Sequence, residues 1–241
     1  MADLAHIQAV ILAGGKGTRL RSVLADRPKV LAEVARKPFV CYLLDHIASF
    51  GIRRAVLCTG YMGEMVRDTL GAMQAGVSLQ YSQETHPLDT AGAVRLALHL
   101  IDSDPVLVMN GDSLFRSDLV AFYENHKAKN ASASLMLAKV DDVSRYGSVR
   151  IDNDGRVICF VEKQRGQGAG LINGGTYLLN KSVITSIPAD RPISFERDTF
   201  PSLVGRGLHG HVGTGLFLDI GTPESYAAAE SFLLEDAGIG P

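Results

Sequence analysis

The chain has 241 residues, 46% of them hydrophobic, with 24 Lys and Arg against 26 Asp and Glu and a net charge of −2. That length holds one large domain or two small ones, and so balanced a charge supplies no overall basic field to recruit nucleic acid or a membrane surface. Three scattered cysteines (Cys41, Cys58 and Cys159) make no C-x-x-C pair and no disulfide framework, and no window approaches the ~18 apolar residues of a membrane span, so a reduced, cytoplasmic setting without a signal peptide is expected.

The first element organises the rest. Ala9-Val10-Ile11-Leu12-Ala13 is a short apolar run that breaks into Gly14-Gly15-Lys16-Gly17-Thr18-Arg19. It reads as a buried strand feeding a loop. The glycines let backbone N–H groups approach an anion with no side chain in the way. Lys16, Arg19, Arg21, Arg27 and Lys29 crowd the same stretch, and the first forty residues carry seven Lys or Arg against three Asp or Glu. That combination suits a polyphosphate. A Walker loop is excluded because Gly17, not Ser or Thr, follows Lys16, and a dinucleotide fingerprint is excluded because Leu20 stands where its last glycine belongs.

Pro38 to Phe50 reads as a helix, with Pro38 at its first position and Gly51 as its stop. A strand follows over Arg54 to Thr59, a helix over Met62 to Leu70, and an alternating strand over Val77 to Tyr81. Thr90 to Ile101 has helical spacing, and Val106 to Met109 is another buried strand, ending at Asn110-Gly111-Asp112. Ser117 to Lys129 reads as a helix with Ser117 as its N-cap. The rhythm then changes to strands over Ser134–Val140, Gly147–Ile151, Arg156–Val161 and Leu171–Leu179, with Asn153-Asp154-Gly155 as a hairpin turn. A helix over Phe195 to Val204 is bent or split by Pro201. A last strand spans Leu216 to Ile220, and Thr222-Pro223 opens a final helix with Tyr226, Ala229 and Leu233 as its apolar stripe. Strands alternating with helices imply βαβ units and a largely parallel sheet.

The sequence GGKGTRL followed by Pro28-Lys29 resembles the signature of the sugar-1-phosphate nucleotidyltransferases, with Val30 in place of the family's second proline. The resemblance covers nearly the whole chain. It implies a three-layer α/β/α fold with a mixed, mainly parallel sheet of Rossmann-like topology. It also implies one domain over 1–241, with a nucleotide-binding half (1–130) and a sugar-phosphate half (131–241). The activity implied is attack of a sugar 1-phosphate oxygen on the α-phosphorus of a nucleoside triphosphate, with pyrophosphate leaving. Mg²⁺ is the implied cofactor, the triphosphate and the sugar 1-phosphate are the implied partners, and a homodimer is compatible with this reading.

Site residues follow from the same resemblance. Arg19 and Lys29 are the catalytic cations, Arg19 on the β- and γ-phosphates and Lys29 near the α-phosphate. Asp112 follows a parallel strand, where such sheets bind ligands, and with Asp219 it would hold the metal; alone, each is more often a turn residue. Leu12, Ala13, Gly14, Gly15, Gly17, Thr18 and Gly111 would line the nucleotide site. Gln83, Glu84, Thr90 and Gly92 belong to the base-reading segment. A carboxylate at Glu84 can accept from guanine N1–H and the 2-amino group, donors that uracil, thymine and cytosine do not present. Asp89 stands where the family carries glycine, and either adds an acceptor or caps the helix at Thr90. Gly147, Glu162, Lys163 and Asn173 would bind the sugar phosphate, Glu162-Lys163 being otherwise a surface ion pair.

The segments 172–177 and 194–198, with the short C-terminus, resemble the D-glycero-α-D-manno-heptose 1-phosphate guanylyltransferases. Mannose 1-phosphate guanylyltransferases come next, then thymidylyl- and uridylyltransferases. A non-catalytic nucleotide-sugar sensor is the reading from another class, and the intact Arg19, Lys29, Asp112 and Asp219 oppose it. His209 and His211 have no zinc partner at fitting spacing and read as surface strand residues.

Overall fold

Strand β1 (Ala9–Ala13) is flanked on both sides and covered on both faces, which is why an uninterrupted apolar run is stable there. The computed structural model describes residues 3–15, 17–20, 23–24, 26–162 and 168–236. The other strands are β2 (Glu33–Val34), β3 (Lys37–Pro38), β4 (Arg54–Thr59), β5 (Met73–Gln74), β6 (Val77–Gln83), β7 (Val106–Asn110), β8 (Ser113–Phe115), β9 (Ala133–Val140), β10 (Ser148–Ile151), β11 (Val157–Val161), β12 (Gly170–Leu179), β13 (Leu208–Val212) and β14 (Phe217–Asp219). The helices are α1 (Phe39–Ser49), α2 (Gly63–Leu70), α3 (Asp89–Leu96), α4 (Leu119–Ala128), α5 (Lys181–Ser186), α6 (Phe200–Leu203) and α7 (Pro223–Asp236).

Eight strands form one sheet in the order β13-β9-β12-β7-β1-β4-β6-β5. β7, β1, β4 and β6 run parallel; β12 is antiparallel to both neighbours, and β5 turns back on β6. Side chains alternate between two cores. Ala9, Ile11 and Ala13 pack with Phe39, Leu43 and Ile47 of α1, Phe122 of α4 and Ala229 of α7. Val10 faces the opposite layer, with Ala91 and Val94 of α3, Ile184 of α5 and Phe200 of α6. The fold is thus α/β, a mixed and mainly parallel sheet between two helical layers.

Several local expectations are corrected. The cap of α4 is Asp118, whose Oδ1 accepts from the N–H groups of Val120 and Ala121, while Ser117 is buried beside it. The helix expected over 90–101 is α only to Leu96 and tightens to a 3-10 turn over Ala97–Leu100. The stretch 195–204 is split into a π turn, Phe195–Thr199, and the short α6. Phe200 N–H there reaches back five residues to Phe195 O, and Pro201 has no N–H to give. His209 is not a surface residue: it is 6% exposed because the 152–156 turn lies over β13, with Gly210 N–H donating to Gly155 O at 2.7 Å. His211 is half-buried against Phe122.

His46 on α1 carries a pH prediction. Its ring packs edge-on against Phe50, and Nε2 is buried with no hydrogen-bond partner among the described residues. Burial, helped by the Arg116 charge, pushes its pKa down from 6.5 to about 4. The folded state therefore holds the ring neutral, and the unfolded chain binds the extra proton between those values. Stability is fully present above pH 6.5 and falls as the pH drops towards 4, by up to roughly 3 kcal/mol. Urea titrations of wild type and His46→Leu should diverge below pH 6.5, the variant lacking this part of the acid loss; parallel curves would contradict the assignment.

Candidate active site

The chain leaves β1 at the carboxyl edge of the sheet, where open α/β sheets bind ligands. Gly17 takes φ +55°, a left-handed conformation that lets the loop fold back into the 3-10 turn Thr18–Leu20. Leu20 is 1% exposed and pins that turn to the protein, while Thr18 and Arg19 remain exposed. A second 3-10 turn, Lys29–Leu31, follows Pro28 and is anchored by buried Val30 and Leu31. A cleft of about 770 Å³ opens over these turns.

Leu12, Gly14, Gly15, Gly17, Thr18, Arg19, Lys29, Glu84, Thr90, Gly111 and Asp112 all line that cleft. Ala13 and Gln83 do not: Ala13 is buried on the α1 side, and Gln83 ends β6 with its side chain exposed. Gly92 is also outside the lining. A methyl group there would meet Arg191 O at 2.6 Å, and its own N–H donates to Ile193 O, so glycine lets α3 press against the 191–193 segment. Gly111 is needed for the same kind of reason, since a methyl group would lie 2.4 Å from Leu12 O.

At one side of the cleft Lys29 Nζ donates to Asp112 Oδ2 at 2.6 Å, the lysine side chain only 11% exposed. Asp112 sits in the turn from β7 to β8. β14 pairs with β8 so that Asp219 lies opposite Ser113, and Ile220 N–H donates to Asp112 O at 2.9 Å. Two aspartates distant in sequence are thereby carried on neighbouring backbone strands. Asp219 Oδ1 accepts from Gly221 N–H at 2.7 Å, and Gly221 lines the cleft. The other Asp219 oxygen takes the Tyr146 hydroxyl, with Arg145 3.9 Å away. Burial first, then the Asp219 hydrogen bond, pushes the Tyr146 hydroxyl up to about 12, so it stays a donor at neutral pH. Carboxylates are hard oxygen donors, and two of them beside this cleft fit a divalent cation whose shell substrate oxygens and water would complete. Among the described residues no cluster of three or more metal-ligating side chains occurs.

Glu84 lines the same cleft. Its Oε2 accepts from Leu88 N–H at 3.0 Å and closes the 84–88 loop, while methyl groups on Gly60 and Gly14 would come within 2.5 and 3.1 Å of Oε1. Burial raises the Glu84 carboxyl above its ordinary value. Asp89 has φ +59°, a backbone conformation that aspartate tolerates better than most residues. Its carboxylate accepts from Thr90 N–H at 2.8 Å and pairs with Arg197. The expected departure from glycine is thus absorbed by an anchoring role.

The expected sugar-side residues lie apart from this lining. Asn173 is half-buried on β12, its Oδ1 accepting from Gly175 N–H and its Nδ2 donating to the Tyr177 hydroxyl. Gly147 has φ +78° in the turn beside Tyr146. Glu162 is exposed just past β11, and Lys163, like Lys16 and Arg21, lies outside the described residues. The sequence reading missed Asn110, Gly60 and Tyr61 in the cleft wall and the Tyr146 bond to Asp219. Asn110 alone left a trace, standing at the end of the same strand as Asp112.

Residues 8–236 match the nucleotidyl transferase family model, and the chain belongs to that family. It is 37% identical to a D-glycero-α-D-manno-heptose 1-phosphate guanylyltransferase of Aneurinibacillus thermoaerophilus, over 94% of this chain and 98% of that one. It is 35% identical to the mannose-1-phosphate guanylyltransferase of Mycobacterium tuberculosis over 98% of this chain, and spans 66% of that enzyme's length. The crystal structure of HddC from Yersinia pseudotuberculosis complexed with GMP-PN superposes with a TM-score of 0.83 at 35% identity, covering 94% of this chain and 99% of that one. Among the described residues no helix is long and apolar enough to cross a membrane.

Proposed function

We propose that this chain transfers the guanylyl group of GTP to a sugar 1-phosphate, with D-glycero-α-D-manno-heptose 1-phosphate as the acceptor, and releases pyrophosphate. The observation that carries the reading is the convergence in one cleft of Gly14, Gly15, Gly17, Thr18 and Arg19, Lys29 on Asp112, and Glu84. Similarity to heptose 1-phosphate guanylyltransferases over nearly their whole length supports the choice of acceptor. Identity of 35% to the mannose-1-phosphate enzyme favours mannose 1-phosphate as the second reading.

In this reading one sugar-phosphate oxygen forms a bond to the α-phosphorus as the bond to the β-phosphate oxygen breaks. Two anions must meet, so the site supplies positive charge and fixed geometry. Loop N–H groups and Arg19 hold the leaving pyrophosphate, and Lys29 exchanges Asp112 for the α-phosphate. Asp112 and Asp219 would hold Mg²⁺, which when bound neutralises phosphate charge. Gly147, Glu162, Lys163 and Asn173 would bind the sugar phosphate.

Pyrophosphate release measured across four nucleoside triphosphates and a panel of sugar 1-phosphates tests the proposal. Release only with GTP and the heptose is expected; release with mannose 1-phosphate alone selects the second reading, and release with no pair rejects both.

Glu84→Gln checks the base reading. The amide presents a donor where guanine needs an acceptor, so the GTP-over-UTP ratio of kcat/KM should fall about ten- to a hundredfold. An unchanged ratio removes Glu84 from base recognition.

A further inference from the structure

A hydrogen-bonded chain runs from the nucleotide wall of the cleft to the strand bearing Asn173, and Glu196 is its hub. Glu196 stands in the π turn Phe195–Thr199, an element that single-turn insertions often place at functional positions. Its Oε2 accepts from Thr90 Oγ1 at 3.2 Å and Ser194 Oγ at 3.0 Å, and its Oε1 from the Tyr177 hydroxyl at 3.2 Å.

Each hydroxyl also accepts a second bond. Thr90 Oγ1 accepts from Phe195 N–H at 2.8 Å, and Ser194 Oγ from Arg197 N–H at 3.3 Å. The Tyr177 oxygen accepts from Asn173 Nδ2 at 3.0 Å and Asn110 Nδ2 at 3.4 Å. Each hydroxyl keeps its own proton to donate towards Glu196. Tyr177 is fully buried, and burial holds its hydroxyl well above the usual phenol range, so it remains a donor.

The ends of this chain are not ordinary core. Thr90 and Asn110 line the cleft. Asn110 Oδ1 is buried with no hydrogen-bond partner among the described residues. Backbone bonds from Ala91 and Gly92 to Ile193 O, and from Ile193 to Leu88 O, clasp the start of α3 to the 191–197 segment. A shift of Thr90 is therefore passed to Glu196 rather than absorbed by slack in the loop.

We propose that Glu196 is a positioning residue that couples the two substrate sites, its carboxylate tying Thr90 on the nucleotide side to Asn173 on the sugar side through the Tyr177 hydroxyl. The inference rests on reading the cleft as a nucleotide and sugar 1-phosphate site. Coupling of this kind is reciprocal: each ligand tightens the other by the same factor.

The test is calorimetric titration of D-glycero-α-D-manno-heptose 1-phosphate into the full chain, with and without saturating α,β-methylene GTP and Mg²⁺. In wild type the analogue should tighten the sugar phosphate by about fivefold or more. Glu196→Ala and Tyr177→Phe should each cut that factor to below about twofold. Ser194→Ala breaks no link in the line and should keep the coupling. A Glu196→Ala protein with a lower Tm but wild-type coupling would make Glu196 a packing residue only, and a wild type without coupling would overturn the inference outright. If Glu196→Ala does not fold, Tyr177→Phe decides alone. Failure of wild type to bind the GTP analogue at all would instead reject the reading of the cleft, and this inference with it.

Discussion

Asp112→Asn is expected to lower kcat by about a hundred- to a thousandfold, the effect of removing one fixed electrostatic partner from a reacting centre. Asp112 is held where a cation and a triphosphate would meet: its backbone is fixed by Ile220 N–H, and its carboxylate lies 2.6 Å from Lys29 Nζ. Asparagine keeps the shape and one oxygen but not the charge. The fold should survive, because the Asp112 side chain is 37% exposed and asparagine keeps an oxygen that can accept from Lys29 Nζ. Turnover against Mg²⁺ concentration, with Tm as the control for folding, checks this. The variant should need more metal and remain slow at saturation; near-normal rates would remove Asp112 from the metal site.

Lys29→Met should be comparably damaging for a different reason. The lysine stem packs beside Gly17, where an added methyl group would touch Lys29 Cβ at 3.4 Å. Methionine fills the space of that stem yet supplies no charge to the α-phosphate. The expected loss in kcat/KM is about a hundred- to a thousandfold, with most of it in kcat if Lys29 acts chiefly on the transition state. Lys29→Arg should recover little, because a planar fork does not occupy the place of a compact ammonium between Asp112 and Gly221. Steady-state rates with GTP and the best sugar 1-phosphate decide it, and a change confined to KM would assign Lys29 to uniform substrate binding.

The sequence made the sheet readable wherever strands are apolar on both faces, as at 9–13, 54–59 and 106–110. It hid β2, β3, β5 and β8, which are too short to show a period. Helix α5 went unread because Lys181–Ser186 has only two buried positions, Val183 and Ile184. The burial of His209 depends on a hairpin folding over an edge strand from more than fifty residues away, which no local pattern encodes. At the site, the glycine loop and its cations were visible because chemistry there is contiguous in sequence. The approach of Asp219 to Asp112 is not contiguous; it came from family resemblance, and the β8–β14 pairing gives its physical basis. Glu196 stayed hidden because its three hydroxyl partners come from α3, β12 and its own turn. The Ser194 bond to Arg197 N–H is the one local clue, a capping pattern at the expected helix start.

A crystal of the protein with α,β-methylene GTP and Mg²⁺ tests most directly whether the glycine turn and Lys29 grip a triphosphate. Phosphate density should run along Gly14–Arg19 to Lys29, with the ion between Asp112 and Asp219 and guanine against Glu84. A triphosphate bound on any other surface, with Lys29 still closed on Asp112, would contradict it.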